Sequence, residues 1–230
     1  MRNKKYYLLF LFSFRVFLSF AQDGNLLLQK TKGKLDKIND YKATGIMKTD
    51  VSFLKVPEAN VTVYYKKPDN LKIKNNKGIS LVPKGAVSIS LTDLLKGNYT
   101  VIDAGSSTVQ NNQVKVLKLL PVEESSNIIL STLYIEESKF LIIKAITTTK
   151  DNGTYEVEMT YGKYISYALP DKVVFTFNTK DYKLPEGVTF DYDDGTKKQT
   201  ENTGKNNKGK VEIDYSSYVI NNGLPDSIFK

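Results

Sequence analysis

The sequence predicts a mainly β domain with a few helices, an α+β fold organised around an antiparallel meander. Residues 127–178 contain several short apolar runs separated by polar turn residues. In Thr154–Tyr161 apolar and polar side chains alternate strictly, which is typical of a strand with one solvated face. The length of 230 residues and the 40% hydrophobic content favour one domain with a substantial core.

The central meander consists of three consecutive predicted strands. The first is Ile128–Ile135. The second, Phe140–Thr149, is rich in Ile, Thr and Phe, and the third is Thr154–Tyr161. Lys150–Gly153 follows, and its Asn-Gly pair favours a primed hairpin turn because both residues tolerate positive φ. Strands that are neighbours in sequence are therefore predicted to pair with each other.

The first 21 residues are typical of a secretory signal peptide. Three basic residues precede an apolar run from Leu8 to Phe20, and the small residue Ala21 is a suitable cleavage position. Cleavage leaves 22–230 as a single predicted domain with a formal charge lowered from +8 to +4. We therefore expect an exported protein that does not bind nucleic acid.

A helix is predicted to begin near Gly24 with Asp23 as its N-cap. Five residues then share one face, which indicates a helix laid on the sheet. They are Leu27, Leu28, Thr31, Leu35 and Ile38.

Further strands and one short helix are predicted along the chain. The predicted strands outside the meander are Tyr41–Leu54, Asn60–Lys67, Leu71–Lys74, Ile79–Val82, Tyr99–Ala104, Gln113–Val122 and Val211–Ile220. Ser90 and Asp93 form a capping box for a helix that ends at Gly97, with Leu91, Leu94 and Leu95 on one face. The polar stretch 196–210 is predicted to be a mobile loop.

The composition lowers the odds of enzymatic chemistry. The chain has no Cys and no His, so it has no thiol nucleophile, no lipidated cysteine, no disulfide and no imidazole base or metal ligand. Asp191–Thr196 resembles half of a calcium loop, but no Glu completes it, and a plain turn is the better interpretation. Glu156 and Glu158 share a strand face with threonines, which favours a solvated surface. We predict no catalytic residues, no metal site and no cofactor.

The order of short motifs resembles the periplasmic lipoprotein carriers, the LolA family and its LolB-like relatives. The motifs are Lys67-Pro-Asp-Asn-Leu71, Leu91-Thr-Asp-Leu-Leu95, Val116-Leu-Lys-Leu-Leu-Pro121, Leu133-Tyr-Ile-Glu136, Phe140–Ile146 and Asn222–Phe229. The resemblance covers nearly all of residues 24–230. It implies a strongly curved antiparallel sheet, an incomplete barrel, covered by the N-terminal helix and a short lid helix.

The resemblance also implies an apolar cavity between sheet and lid that accepts the acyl chains of lipoproteins or other lipids. The residues expected to line it are Val63, Tyr65, Leu91, Leu94, Leu95, Leu133, Ile135, Ile142, Tyr155, Val157 and Met159. Strand alternation alone does not separate the lining of a cavity from a packed core.

Two functions remain open at this point. The first is a monomeric, non-enzymatic carrier that delivers acylated cargo toward the outer membrane, with inner-membrane donor and outer-membrane acceptor proteins as partners. The alternative is a sensor or interaction module on the same fold, whose apolar face is packed solid and whose partner is a protein.

Overall fold

The computed structural model describes residues 20–51, 54–55, 57–68, 70–75, 95, 97–178 and 208–229. Ten of its strands form one continuous antiparallel path, and an eleventh, two-residue strand pairs at its side. The mainly β prediction is confirmed.

The helix and strands have the following bounds. They are α1 Phe20–Leu35, β1 Asp40–Val51, β2 Leu54–Lys55, β3 Ala59–Lys66, β4 Asn70–Asn75, β5 Tyr99–Val109, β6 Asn112–Pro121, β7 Ile128–Glu136, β8 Leu141–Thr149, β9 Gly153–Thr160, β10 Lys172–Asn178 and β11 Lys208–Ile220. Single 3₁₀ turns lie at Ile165–Tyr167 and Asp226–Ile228.

The sheet is open, with β4 at one edge and β5 at the other. The strand order is β4-β3-β1-β11-β10-β9-β8-β7-β6-β5, and β2 pairs with β1. Strands β5 to β10 are neighbours in both sequence and space, as the meander predicts. Strand β11 pairs with β10 on one side and with β1 on the other. The last strand therefore connects the N-terminal strands to the meander within one sheet. This is the expected incomplete barrel.

The hairpin between β8 and β9 is confirmed, but its predicted turn type is wrong. Thr149 pairs with Gly153 across a three-residue loop, and Gly153 has a φ of 65°. Asn152 is not in the left-handed region. The Thr149 hydroxyl accepts the N–H of Asn152 at 3.1 Å and donates to the carbonyl of Gly153, which favours the longer loop.

Several predicted element bounds also change, and the predicted strand Tyr41–Leu54 is divided into β1 and β2. Helix α1 already begins at Phe20 and runs through Asp23, because Ala21 and Gln22 are good helix formers. Strand β5 extends to Val109, past its predicted end at Ala104. Strand β11 begins at Lys208, so the last three residues of the predicted mobile loop are paired strand.

The predicted strand Ile79–Val82 and most of the lid helix lie outside the described residues. Of the lid helix only Leu95 is described, and it is helical and 4% exposed. Within the described chain, no helix combines the length and apolar character needed to cross a membrane.

The C-terminal tail is fastened to the start of β1. Asp40 is buried, and its carboxylate oxygens accept the backbone N–H groups of Asn222 and Gly223 at 3.0 and 3.1 Å. The Lys66 ammonium donates to the carbonyl of Leu224 at 2.8 Å. These contacts satisfy the buried carboxylate and hold the tail against β1 and β3.

Two glycines are expected to respond to alanine with opposite signs. An added Cβ at Gly45, beside the bulge of β1, would lie 2.4 Å from the backbone oxygen of Asp214. Gly33, inside α1, has no atom within 4 Å of that position. We expect Gly45→Ala to lower the free energy of unfolding by about 1–3 kcal/mol, and Gly33→Ala to raise it by about 0.5–1 kcal/mol. Urea denaturation measures both changes. A change of the same sign in the two variants would contradict the packing described for Gly45.

Candidate functional site

The inner face of the sheet, defined as the face that α1 covers, carries an apolar row across six strands. Strand register aligns its members side by side. From β6 to β11 they are Leu117, Leu133, Ala145, Val157, Phe175 and Val211, each at most 7% exposed. The row therefore forms one continuous apolar surface across these six strands.

The neighbouring row contains two hydroxyls within apolar surroundings. Ser131 and Thr147 are fully buried and their hydroxyl oxygens lie 3.0 Å apart. Tyr155 pairs with Thr147, and burial raises the pKa of its phenol to about 12, while a hydrogen bond with Thr147 acts in the opposite direction. These groups satisfy one another, as buried polar groups must.

The same row ends at Phe177, whose ring position requires a glycine on the neighbouring strand. Phe177 on β10 pairs with Gly209 on β11, and an added Cβ at Gly209 would lie 2.4 Å from the Phe177 ring. The absence of a side chain at Gly209 leaves the space that the ring occupies. Phe177 also packs against Phe175, with 5.5 Å between ring centroids.

Helix α1 covers the inner face as its predicted apolar stripe indicates, although Ile38, the last predicted member of the stripe, lies beyond the end of the helix. Leu27 and Leu35 are buried in the larger of two apolar clusters, which contains the whole apolar row and is called the main cluster, and Leu28 packs beside them. An added Cβ at Gly24 would lie 3.2 Å from the Leu117 side chain, so the helix approaches β6 closely. Thr31 is 1% exposed and satisfies its hydroxyl by donating to the carbonyl of Leu27 at 2.9 Å.

The helix is also held at its solvated side. Lys34 donates to the carbonyl of Lys139 at 2.8 Å, and the ammonium of Lys30 lies 5.2 Å from the Phe140 ring centroid. Both contacts are made to the turn between β7 and β8. The helix is therefore fixed at both the sheet and this turn.

A second apolar cluster, rich in tyrosine, continues the inner face over β3, β1 and β11. Its buried members are Ile38, Ala43, Val63, Tyr65, Leu169 and Tyr218, with Tyr41, Tyr164 and Tyr215 packed against them. Tyr218 donates to the carbonyl of Pro170 at 2.7 Å, and its ring lies 4.9 Å from that of Tyr164. Burial raises the pKa of Tyr41, Tyr215 and Tyr218.

The predicted lining residues that are described are all buried. Leu95, Leu133, Ile135, Ile142, Tyr155, Val157 and Met159 belong to the main cluster, and Val63 and Tyr65 to the tyrosine-rich cluster. Leu91 and Leu94 lie outside the described residues. Burial alone does not distinguish the wall of a slot from a packed core, so the lining remains a prediction.

The sequence analysis missed the part of the inner face that β10 contributes. Val173, Phe175 and Phe177 alternate along β10 and their partners on β9 and β11 belong to the inner face. Their period-2 spacing was a usable signal. Phe177 also borders an open depression of about 520 Å³ at the strand ends, together with Tyr155, Thr154, Thr176, Asn178 and Lys208.

The outer face of β8 to β11 carries charged residues that neutralise one another. Lys144 lies 2.7 Å from Glu156 and 3.5 Å from Glu158, and Lys172 lies 2.6 Å from Glu212. Burial lowers the pKa of Lys144, but the two carboxylates outweigh it and the pKa is raised. The hydrogen bond from Lys172 lowers the pKa of Glu212. Glu156 and Glu158 thus belong to surface ion pairs, as the solvated interpretation predicts.

No metal centre is found among the described residues, where no three carboxylates lie close enough to hold an ion. The calcium-like sequence at Asp191–Thr196 lies outside them.

No protein-family model and no curated protein matches this sequence. Solved structures do match its fold. A candidate outer membrane lipoprotein-sorting protein domain from Vibrio parahaemolyticus aligns with a TM-score of 0.55 at 12% identity, over 91% of this chain and 97% of its own. A LolA superfamily protein from Nitrosomonas europaea aligns with a TM-score of 0.57 at 14% identity, over 88% and 97%.

A DUF1329 family protein from Desulfovibrio piger aligns with a TM-score of 0.58 at 12% identity, over 91% of this chain and 97% of its own. The chain therefore has the LolA-like open half-barrel fold, the fold found in lipoprotein-sorting domains. At these identities a common fold is established and a common activity is not. The resemblance seen in the sequence motifs is confirmed at the level of the fold.

Proposed function

We propose that the protein is a periplasmic carrier that binds acyl chains of lipoproteins or other lipids between the inner face and its helices. It delivers them toward the outer membrane. The observation that carries this proposal is the apolar row across six strands beneath α1, on a fold shared with lipoprotein-sorting domains. Each buried methylene of a chain contributes about 0.8 kcal/mol, so a dry slot binds strongly without catalytic residues.

The central measurement is extraction of exported protein with organic solvent, followed by mass spectrometry of the extract. We expect acyl species in stoichiometric amount. Ala145 lies in the middle of the apolar row and is 2% exposed, so Ala145→Phe places a ring where a chain would lie. In an open slot the variant folds with little loss of stability and carries less lipid.

A matched control is Ile146→Phe, because Ile146 is the next residue on β8 and is only half-buried on the outer face. This variant is expected to keep its lipid. An empty extract from the wild-type protein, with no displacement of a fluorescent fatty acid, would contradict the carrier function.

A second function is favoured by the complete burial of the described lining residues. If the inner face is packed solid, the protein is a sensor or interaction module that binds a protein partner. Ala145→Phe then overpacks the core and lowers the free energy of unfolding by about 1–3 kcal/mol. The same variant therefore separates the two functions by thermal denaturation.

A further inference from the structure

The outer face of β4, β3, β1 and the end of β11 carries cations beside exposed apolar side chains. Register aligns Lys72, Tyr64, Lys42 and Val219 in one row, and Lys74, Thr62, Thr44 and Ser217 in the next. We call this surface the basic face, defined by Lys42, Lys72, Lys74, Tyr64, Ile46 and Val219. These residues alternate with buried ones of the inner face, so they lie on the opposite side of the sheet.

Two lysines of the basic face differ from most other lysines of the sheet. Lysines on β8, β10 and β11, and also Lys48 on β1 and Lys66 on β3, have carboxylate partners within 4 Å. Lys42 and Lys74 take part in no ion pair between described residues, and the ammonium of Lys74 lies 5.4 Å from the Tyr64 ring centroid. Asp214, which is paired with Ile46, lies 3.5 Å from Lys172. Lys42 and Lys74 therefore give the basic face positive charge that no ion pair between described residues neutralises.

Two apolar side chains are exposed within it. Val219, paired with Lys42, is 49% exposed, and Ile46 is 40% exposed. Lysine stems can lie along such side chains while their ammonium groups reach outward. Four neighbouring strands also present a surface roughly 15 Å wide, since strands are spaced about 4.8 Å apart. A broad face with cations around a few apolar residues suits a lipid surface better than a groove-binding peptide.

We propose that the basic face docks onto the anionic surface of a phospholipid bilayer. The lysines contact the phosphates of the headgroups, and Ile46 and Val219 reach the boundary with the acyl region. The inference goes beyond carriage of a lipid, because docking on this face requires no occupied slot on the other side of the sheet. It can therefore fail or hold independently of lipid extraction.

Co-sedimentation with vesicles tests the proposal. We expect the protein to bind vesicles of phosphatidylcholine mixed with phosphatidylglycerol and not vesicles of phosphatidylcholine alone. Raising the salt concentration from about 0.1 M to about 1 M shortens the Debye length from about 10 Å to about 3 Å and should release the protein. Lys42→Glu with Lys74→Glu is expected to weaken binding on the order of 100-fold.

A matched control makes the same change of charge elsewhere. Lys118 and Lys163 are exposed and lie outside the basic face. Lys118→Glu with Lys163→Glu should retain most of the vesicle binding. An equal loss in both double variants would show attraction by net charge alone and would overturn the docking face.

Tryptophan reporters give an independent measurement, since the chain contains no tryptophan. Val219→Trp places one in the basic face, and Ile129→Trp places one at a 50% exposed position on β7. With phosphatidylglycerol vesicles, the emission of Val219→Trp should shift to shorter wavelength and that of Ile129→Trp should not. No shift in either, or binding only to an acidic protein through Lys42 and Lys74, would overturn the proposal.

Discussion

Above about pH 10 the protein is expected to lose stability steeply, and to unfold within about two pH units, because buried tyrosines must stay protonated in the folded state. Burial raises the pKa of Tyr99 and, by a larger amount, that of five further phenols. They are Tyr41, Tyr155, Tyr161, Tyr215 and Tyr218. Three of them belong to the tyrosine-rich cluster between β1, β11 and the 3₁₀ turn at Ile165–Tyr167.

The sign follows from the protons bound in each state. Below about pH 10 the five phenols are protonated both in the folded and in the unfolded chain, so their contribution does not vary with pH. At higher pH the unfolded chain releases these protons while the folded chain keeps them. The free energy of unfolding then falls by as much as about 1.4 kcal/mol per pH unit for each tyrosine, or roughly 7 kcal/mol per pH unit for five. This is comparable to the entire stability of a typical domain.

Circular dichroism and tyrosinate absorbance, followed together against pH, measure this effect. The five phenols should ionise at the pH at which secondary structure is lost. Tyr215→Phe keeps the ring and removes one titrating group, so its transition should be less steep by one proton. Tyr167→Phe, at a 37% exposed position, changes stability by no more than about 0.5 kcal/mol and serves as the control. Ionisation of all five phenols in a still-folded protein would contradict this account.

Local sequence patterns predicted most strands because their physical cause is local. The alternation in Thr154–Tyr161 reflects one apolar and one solvated face, and β9 occupies almost the same residues. The end of β5 was missed because its residues lack this alternation. Residues 103–109 form an edge strand with a bulge near Gly105 and largely exposed side chains, so no apolar alternation marks them.

Local sequence patterns do not predict which distant strands pair with each other. Nothing in the residues of β11 shows that this strand inserts between β10 and β1, since the pairing joins segments far apart in sequence. The inner face was recognised only in part, from β3, β7, β8 and β9. Val173, Phe175 and Phe177 have the required alternation, but their place on this face follows from their register with β9 and β11.

Leu133→Ala is expected to lower the free energy of unfolding by about 2–5 kcal/mol, because Leu133 is a fully buried member of the apolar row. The size of the loss depends on what surrounds the deleted atoms. Its cross-strand neighbours are Leu117 on β6 and Ala145 on β8. In a packed core the deletion leaves a cavity that adds to the lost transfer free energy. Beside an existing slot the cavity contribution is smaller, and a bound chain restores part of the stability.

Urea denaturation of the lipid-free protein, with and without added fatty acid, separates these cases. Ile129→Ala removes a side chain of similar volume from a 50% exposed position on the same strand, so its effect should stay within about 0.5 kcal/mol. If Leu133→Ala lowers the free energy of unfolding by about 5 kcal/mol and fatty acid restores none of it, the packed interaction module is favoured. A smaller loss that fatty acid reverses favours the carrier, because only an open slot offers the ligand the space that Leu133 vacates. A loss below about 1 kcal/mol without fatty acid would contradict the burial of Leu133 itself.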